Sequence, residues 1–220
     1  MSIKSKIENL KGIIPSDVKM VAVSKFHSNS EIMEAYDAGH RMFGESRVQE
    51  LVQKYQELPK DIEWHFIGNL QRNKVKQIAP FVSLIHSLDS ERLMLEIEKQ
   101  GSVNDRVIPC LLQVHIAEEE TKSGFSPEEC RRFVADAKWK ECSHIKISGL
   151  MGMATFTEDE SKVKKEFDQL RTLFEELKDI HFKNDPDFKE ISMGMTGDFQ
   201  LAINSGSTIV RIGTLIFGSR

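Results

Sequence analysis

Eight short runs rich in β-branched and apolar residues recur along this chain, separated by segments whose apolar residues repeat with helical period. The runs cover residues 18–26, 42–45, 63–68, 84–88, 107–116, 145–153, 190–195 and 208–217. Such alternation is the mark of βα units around a parallel sheet. Between the runs, Val48, Leu51, Val52, Tyr55 and Leu58 form one apolar stripe. Val163, Phe167, Leu170, Phe174 and Leu177 form another, stepping by four and three as a core-facing helix does. Ser126-Pro127-Glu128-Glu129 reads as a helix start with a capping box, and Gly39, Gly101 and Gly206 stand where helices should stop. Eight strand–helix units in 220 residues fit the lower size range of a (β/α)8 TIM barrel, here expected as one α/β domain over residues 1–220. Residues 2–11 would add a helix ahead of the barrel. A doubly wound open sheet is the alternative, although no GxGxxG follows the first strand.

Composition narrows the function classes. A net charge of −4 gives no global electrostatic footprint for nucleic acid or an anionic membrane. With 40% hydrophobic and 29% charged residues the chain reads as soluble and globular, and no uncharged apolar run is long enough to span a bilayer. The N-terminus lacks the apolar stretch of a signal peptide. Cys110, Cys130 and Cys142 form neither a CxxC nor an even set, so reduced thiols in the cytosol are expected.

Barrel chemistry gathers at the C-terminal ends of the strands. Lys25 ends the first run, in phase with Val21 and Val23, and an ammonium desolvated at an apolar barrel mouth is primed to attack a carbonyl. The alternative is a lysine that reaches past the strand end to water. Arg211 lies within the nearly apolar last run, where a guanidinium needs an anion or strong acceptor, either a ligand or a structural acid. Gly213-Thr214 and Ser192-Met193-Gly194-Met195-Thr196-Gly197-Asp198 offer backbone N–H groups and hydroxyls after strands 8 and 7, where barrels commonly hold phosphate. Ordinary turns would explain them equally, with Asp198 as a helix N-cap. His65 and His86, read as ending strands 3 and 4, are expected as hydrogen-bonded groups at the barrel top, or as a base. A metal site from His65, His86 and His115 has no supporting spacing.

These residues carry a resemblance. Val23-Ser24-Lys25, Phe43-Gly44-Glu45-Ser46-Arg47, Trp64-His65-Phe66-Ile67-Gly68-Asn69-Leu70-Gln71-Arg72-Asn73-Lys74, Lys122-Ser123-Gly124, Ser192-Met193-Gly194-Met195 and Arg211-Ile212-Gly213-Thr214-Leu215-Ile216-Phe217-Gly218 together resemble the YggS/PROSC family of pyridoxal phosphate homeostasis proteins. The match runs in order from the first strand to the C-terminus. It implies a barrel similar to the N-terminal domain of alanine racemases, with pyridoxal 5′-phosphate (PLP) bound as a Schiff base on Lys25. Ser192, Gly213 and Thr214 would hold the phosphate, and Arg211 would face the pyridine nitrogen. Ser46 stands where the family usually has Asn, and its hydroxyl is shorter and makes fewer hydrogen bonds. Thr196 replaces a serine and keeps the hydroxyl.

A guanidinium cannot accept a proton, so Arg211 disfavours a protonated pyridinium and weakens PLP as an electron sink. The chain ends at Arg220, just after strand 8, so the racemases' tyrosine-bearing second domain is expected to be missing. Tyr36 and Tyr55 fall in helices, where packing is their expected use. The expectation is therefore a monomeric PLP carrier that buffers the cofactor and delivers it to apo PLP-dependent enzymes. The alternatives are a low-activity PLP racemase or related enzyme, and a PLP-free Schiff-base aldolase or phosphosugar isomerase. Two lesser expectations are a docking face on the charged helix around Lys162 and Glu166, and a second anion or PLP site at Arg72-Asn73-Lys74-Val75-Lys76.

Overall fold

A computed structural model describes residues 1–117 and 123–218. Helix α1 (Ile3–Ile13) precedes eight strands, β1 (Lys19–Val23), β2 (Met42–Glu45), β3 (Glu63–Phe66), β4 (Leu84–Leu88), β5 (Ile108–Val114), β6 (Ile145–Gly152), β7 (Glu190–Met195) and β8 (Ile209–Ile212). They pair in chain order, all parallel, and β8 returns to β1, which closes the barrel and removes the open-sheet alternative. Helices α2 (Asn29–Asp37), α3 (Val48–Glu57), α4 (Val75–Ile78), α5 (Glu91–Val103), α6 (Pro127–Ala135), α7 (Glu160–His181), α8 (Phe199–Asn204) and α9 (Thr214–Phe217) follow the strands in turn.

Strand alternation sorts the side chains. Met20, Ala22, Phe43, Trp64, Phe66, Ile191, Met193, Val210 and Ile212 join the core between barrel wall and helices. Val21, Leu84, Leu111, Met151 and Ile209 form a second cluster, filling the barrel's interior. The expected α7 stripe is buried against the wall, and Ser126 and Glu129 make the expected capping box on α6. Gly39 and Gly206 end helices at φ +76° and +89°. Gly101 does not: α5 continues to Val103, and a Cβ on Gly101 would stand 2.6 Å from the His144 carbonyl oxygen, so close packing explains that glycine.

Three other expectations are corrected. The run 208–217 is not one strand. It breaks at Gly213, beyond which residues Thr214–Phe217 turn into α9, because the barrel ends there and apolar Ile216 and Phe217 are buried by a helical turn instead. Asp198 stands at the N-cap of α8 but makes no capping bond; its Oδ1 accepts from the Met195 N–H at 2.5 Å. Glu166 belongs to no docking face, since it is buried and accepts from the Thr155 N–H and Oγ1, both at 2.7 Å. Arg72, Asn73 and Lys74 form an exposed to half-buried 3-10 turn before α4. The three cysteines are free, and burial pushes the Cys130 thiol up to about 12. No helix among the described residues is long and apolar enough to cross a membrane.

Candidate functional site

A cavity of about 420 Å³ opens at the C-terminal mouth of the barrel, within the range of about 300–1,000 Å³ usual for small-molecule sites. Its walls include Lys25 from the end of β1, Ser46 from the end of β2, Thr196 and Asp198 after β7, and Arg211, Gly213 and Thr214 from β8 and beyond. Five of the six residues singled out from the sequence therefore meet in one place, brought there by a common position at strand ends rather than by proximity in the chain. Lys122 of the Lys-Ser-Gly motif lies outside the described residues.

Ser192 is the exception. It is fully buried, and its Oγ accepts from Arg211 Nη1 at 2.6 Å and bonds His86 Nδ1 at 2.9 Å. Its hydroxyl is thus committed inside the barrel and does not line the cavity. From the same motif it is the Thr196 hydroxyl that does; its Oγ1 accepts from the Gly213 N–H at 3.2 Å and ties the loops after β7 and β8 together. His65 and His86 are likewise not barrel-top groups. Both sit inside the barrel, with His65 Nδ1 and His86 Nε2 3.0 Å apart. Burial holds His65 down to about 3 and His86 well below the usual imidazole value, so both stay neutral. Among the described residues, no group of three or more metal-ligating side chains is assembled.

Arg211 forms the cavity's inner end. It is 4% exposed, and its Nη2 also donates to the Gly152 carbonyl at 3.1 Å. Burial lowers its pKa to about 10, opposed by the Asp198 charge, so the guanidinium remains fully protonated at neutral pH. Gly213 has φ −114°, which any residue can adopt, and a Cβ there would make only ordinary contacts at 3.5 Å with Val23. Neither backbone nor packing calls for glycine, which fits a backbone left bare for a ligand. Next to it, the N–H groups of Thr214 and Leu215 open α9 and have no intrahelical acceptor. An amine, a bare backbone with free donors, three hydroxyls and a donor-only cation suit an aldehyde bearing a phosphate and a ring acceptor.

The tyrosines lie elsewhere. Tyr36 donates to Asp61, and Tyr55 stacks on Phe81 with ring centres 3.7 Å apart. Residues that sequence reasoning did not place in the site are His27, Met153 and Phe156, all on the cavity wall, with Phe156 98% exposed at its rim. Nothing in the strand pattern marks either His27, which follows a turn beyond β1, or Phe156.

A family model described as alanine racemase, N-terminal domain, matches residues 1–220. A pyridoxal phosphate homeostasis protein of Aquifex aeolicus is 42% identical over 92% of this chain and 87% of its own length. The chain belongs to that family. PipY of Synechococcus elongatus, solved without PLP, has 34% identity and a TM-score of 0.92 over 99% of this chain and all of its own. The same protein solved with PLP bound gives 33% and 0.89. An alanine racemase of Clostridium difficile superposes with a TM-score of 0.78 at 13% identity, over 56% of its length, and that likeness concerns the fold alone.

Proposed function

We propose that this protein binds PLP through a Schiff base on Lys25 and holds the cofactor for transfer to apo PLP-dependent enzymes, as a monomer in the cytosol, without a turnover reaction of its own. The observation that carries this reading is that Lys25, arriving on β1, and Arg211, arriving on β8, share one cavity with the Thr196–Gly213–Thr214 rim. The relatives named pyridoxal phosphate homeostasis proteins, and PipY with PLP bound, support the same ligand and role.

When bound, PLP would supply an electrophilic aldehyde and a ring able to accept electron density. Lys25 would supply the amine that condenses with the aldehyde, with water leaving; hydrolysis would reverse the step and free the cofactor. The Gly213–Thr214 backbone and the Thr196 hydroxyl would hold the phosphate, whereas the Ser192 hydroxyl, committed to Arg211 and His86, supports the arginine instead. Ser46 would contact the cofactor's edge from β2. Arg211 offers only protons to the ring nitrogen, which keeps that nitrogen an acceptor and weakens the ring as an electron sink. Storage needs the covalent bond and the phosphate grip; it does not need that sink.

The test is direct. Protein mixed with PLP is expected to be yellow and, after borohydride reduction and digestion, to carry the phosphopyridoxyl label on Lys25; Lys25→Ala should lose both band and label. A colourless protein would favour an aldolase or isomerase instead. One feature favours a second reading, a low-activity PLP enzyme: His27 brings an imidazole to the cavity wall. Incubation with each L-amino acid in heavy water checks it, since sustained α-proton exchange that disappears in Lys25→Ala would displace the carrier role.

A further inference from the structure

Lys25 occupies the corner of a tight turn. The His27 N–H donates to the Ser24 carbonyl at 3.0 Å, and Phe26, the residue after the corner, has φ +68°. That position of a turn ordinarily calls for glycine or asparagine, and phenylalanine persists there only if its surroundings impose the conformation. The imposing groups are on α3, behind the barrel wall. Lys54 Nζ donates to the Ser24 carbonyl at 2.8 Å, so it grips the peptide unit before Lys25. Glu50 Oε1 accepts from the Phe26 N–H at 2.5 Å, so it grips the unit after Lys25. The two are one helical turn apart and bonded to each other at 2.6 Å. Glu45, fully buried, completes the group by accepting from Lys54 at 2.8 Å and from Ser24 Oγ at 2.6 Å.

A lysine that is 5% exposed, with three acceptors for its three protons, is a costly way to fill space that an apolar side chain could fill. What this ion cluster holds, and an apolar replacement would release, is the backbone on either side of Lys25. We propose that Glu50 and Lys54, backed by Glu45, are positioning residues: they fix the Ser24–His27 turn so that the Lys25 amine stands in the cavity ready to react. The consequence for PLP rests on the Schiff-base reading above; the consequence for the amine itself does not.

The experiment uses apo protein and two probes. Reductive methylation with formaldehyde and cyanoborohydride, followed by peptide mass spectrometry, reads Lys25 reactivity without PLP. Stopped-flow absorbance with PLP reads formation and release of the Schiff base. In Glu50→Ala, Lys25 methylation is expected to slow and PLP release to quicken, each about tenfold, the scale of one charge-assisted hydrogen bond. Glu50→Gln keeps an acceptor for the Phe26 N–H and should stay within about twofold of wild type. Adding Phe26→Gly to Glu50→Ala should recover most of the loss, because glycine adopts the positive φ unaided. Glu50 is partly exposed, so folded protein is expected, and a circular dichroism melt confirms it. Wild-type rates in Glu50→Ala overturn the proposal. So does a loss equal in Glu50→Gln, or one unrepaired by Phe26→Gly, for then the carboxylate acts by charge or global stability. If wild type takes no PLP label on Lys25, the cofactor reading fails, and methylation still decides the positioning role.

Discussion

The Thr196 hydroxyl accepts from the Gly213 N–H at the cavity rim, while the Ser192 hydroxyl lies between Arg211 and His86 inside the barrel. The two residues occur in one motif and in the same strand phase, so the sequence alone offers both as phosphate ligands. Position along the chain separates them: Ser192 lies within β7, whereas Thr196 stands beyond its end, past an irregular register at Gly194. Their variants should diverge accordingly. Thr196→Ala is expected to weaken PLP binding about tenfold, read by absorbance titration, with little change in stability. Ser192→Ala removes an acceptor from a buried guanidinium and should cost about 1–3 kcal/mol of folding stability, read by urea unfolding of the apo protein. Equal effects on PLP affinity would place both hydroxyls on the phosphate.

At the scale of elements, the end of β2 and the turn after β3 are in close contact. A Cβ on Gly68 would stand 2.2 Å from the Ser46 carbonyl oxygen, a distance no side chain tolerates. Gly68→Ala must push the Ser46 segment away, with an expected loss of several kcal/mol in stability and weaker PLP binding, measured by urea unfolding and titration of the same samples. That glycine was legible only as part of a motif, because its reason is a neighbour far away in sequence. Barrel, strand order and helix faces were legible because period-two and helical patterns report directly which face is buried. Strands β2, β4 and β7 begin and end where the pattern says. The run through Arg211 was read too long, since Leu215, Ile216 and Phe217 are apolar in either conformation and only barrel closure decides that they coil. The α3 grip on Lys25 was not legible at all: Lys54 and Glu50 look like an ordinary exposed i,i+4 pair until the fold buries the lysine.

Across the whole molecule, three buried imidazoles make the fold sensitive to acid. Burial takes His40 down to about 4 and His65 to about 3, with His86 also far below its usual range. In the unfolded chain each takes a proton near 6.5. The unfolded state therefore binds more protons as pH falls from about 6.5 towards 4, and each histidine withdraws up to about 1.4 kcal/mol per pH unit across that window. Buried Glu45 works the other way, because desolvation raises its carboxyl and lets the folded state take a proton first. The net expectation is that stability falls as pH drops below about 6.5, three histidines outweighing one carboxyl. Urea midpoints at pH 7, 6 and 5 measure it, and a flat profile to pH 5 would contradict it.

The hydrogen bonds from Arg211 through Ser192 and His86 to His65 also have a favoured direction. A guanidinium has nothing to accept with, so the arrangement that strands no hydrogen has Ser192 donating to His86 Nδ1, with the His86 hydrogen on Nε2 facing His65 Nδ1. His65 is left with its hydrogen on Nε2, beside a second cavity lined by Lys19, Glu63 and Glu190 at the opposite opening. One cation thus sets the tautomer of two rings it never touches. A proton arriving from that far opening would put two hydrogens nose to nose between the rings, so the axis of the molecule is insulated against being charged from below.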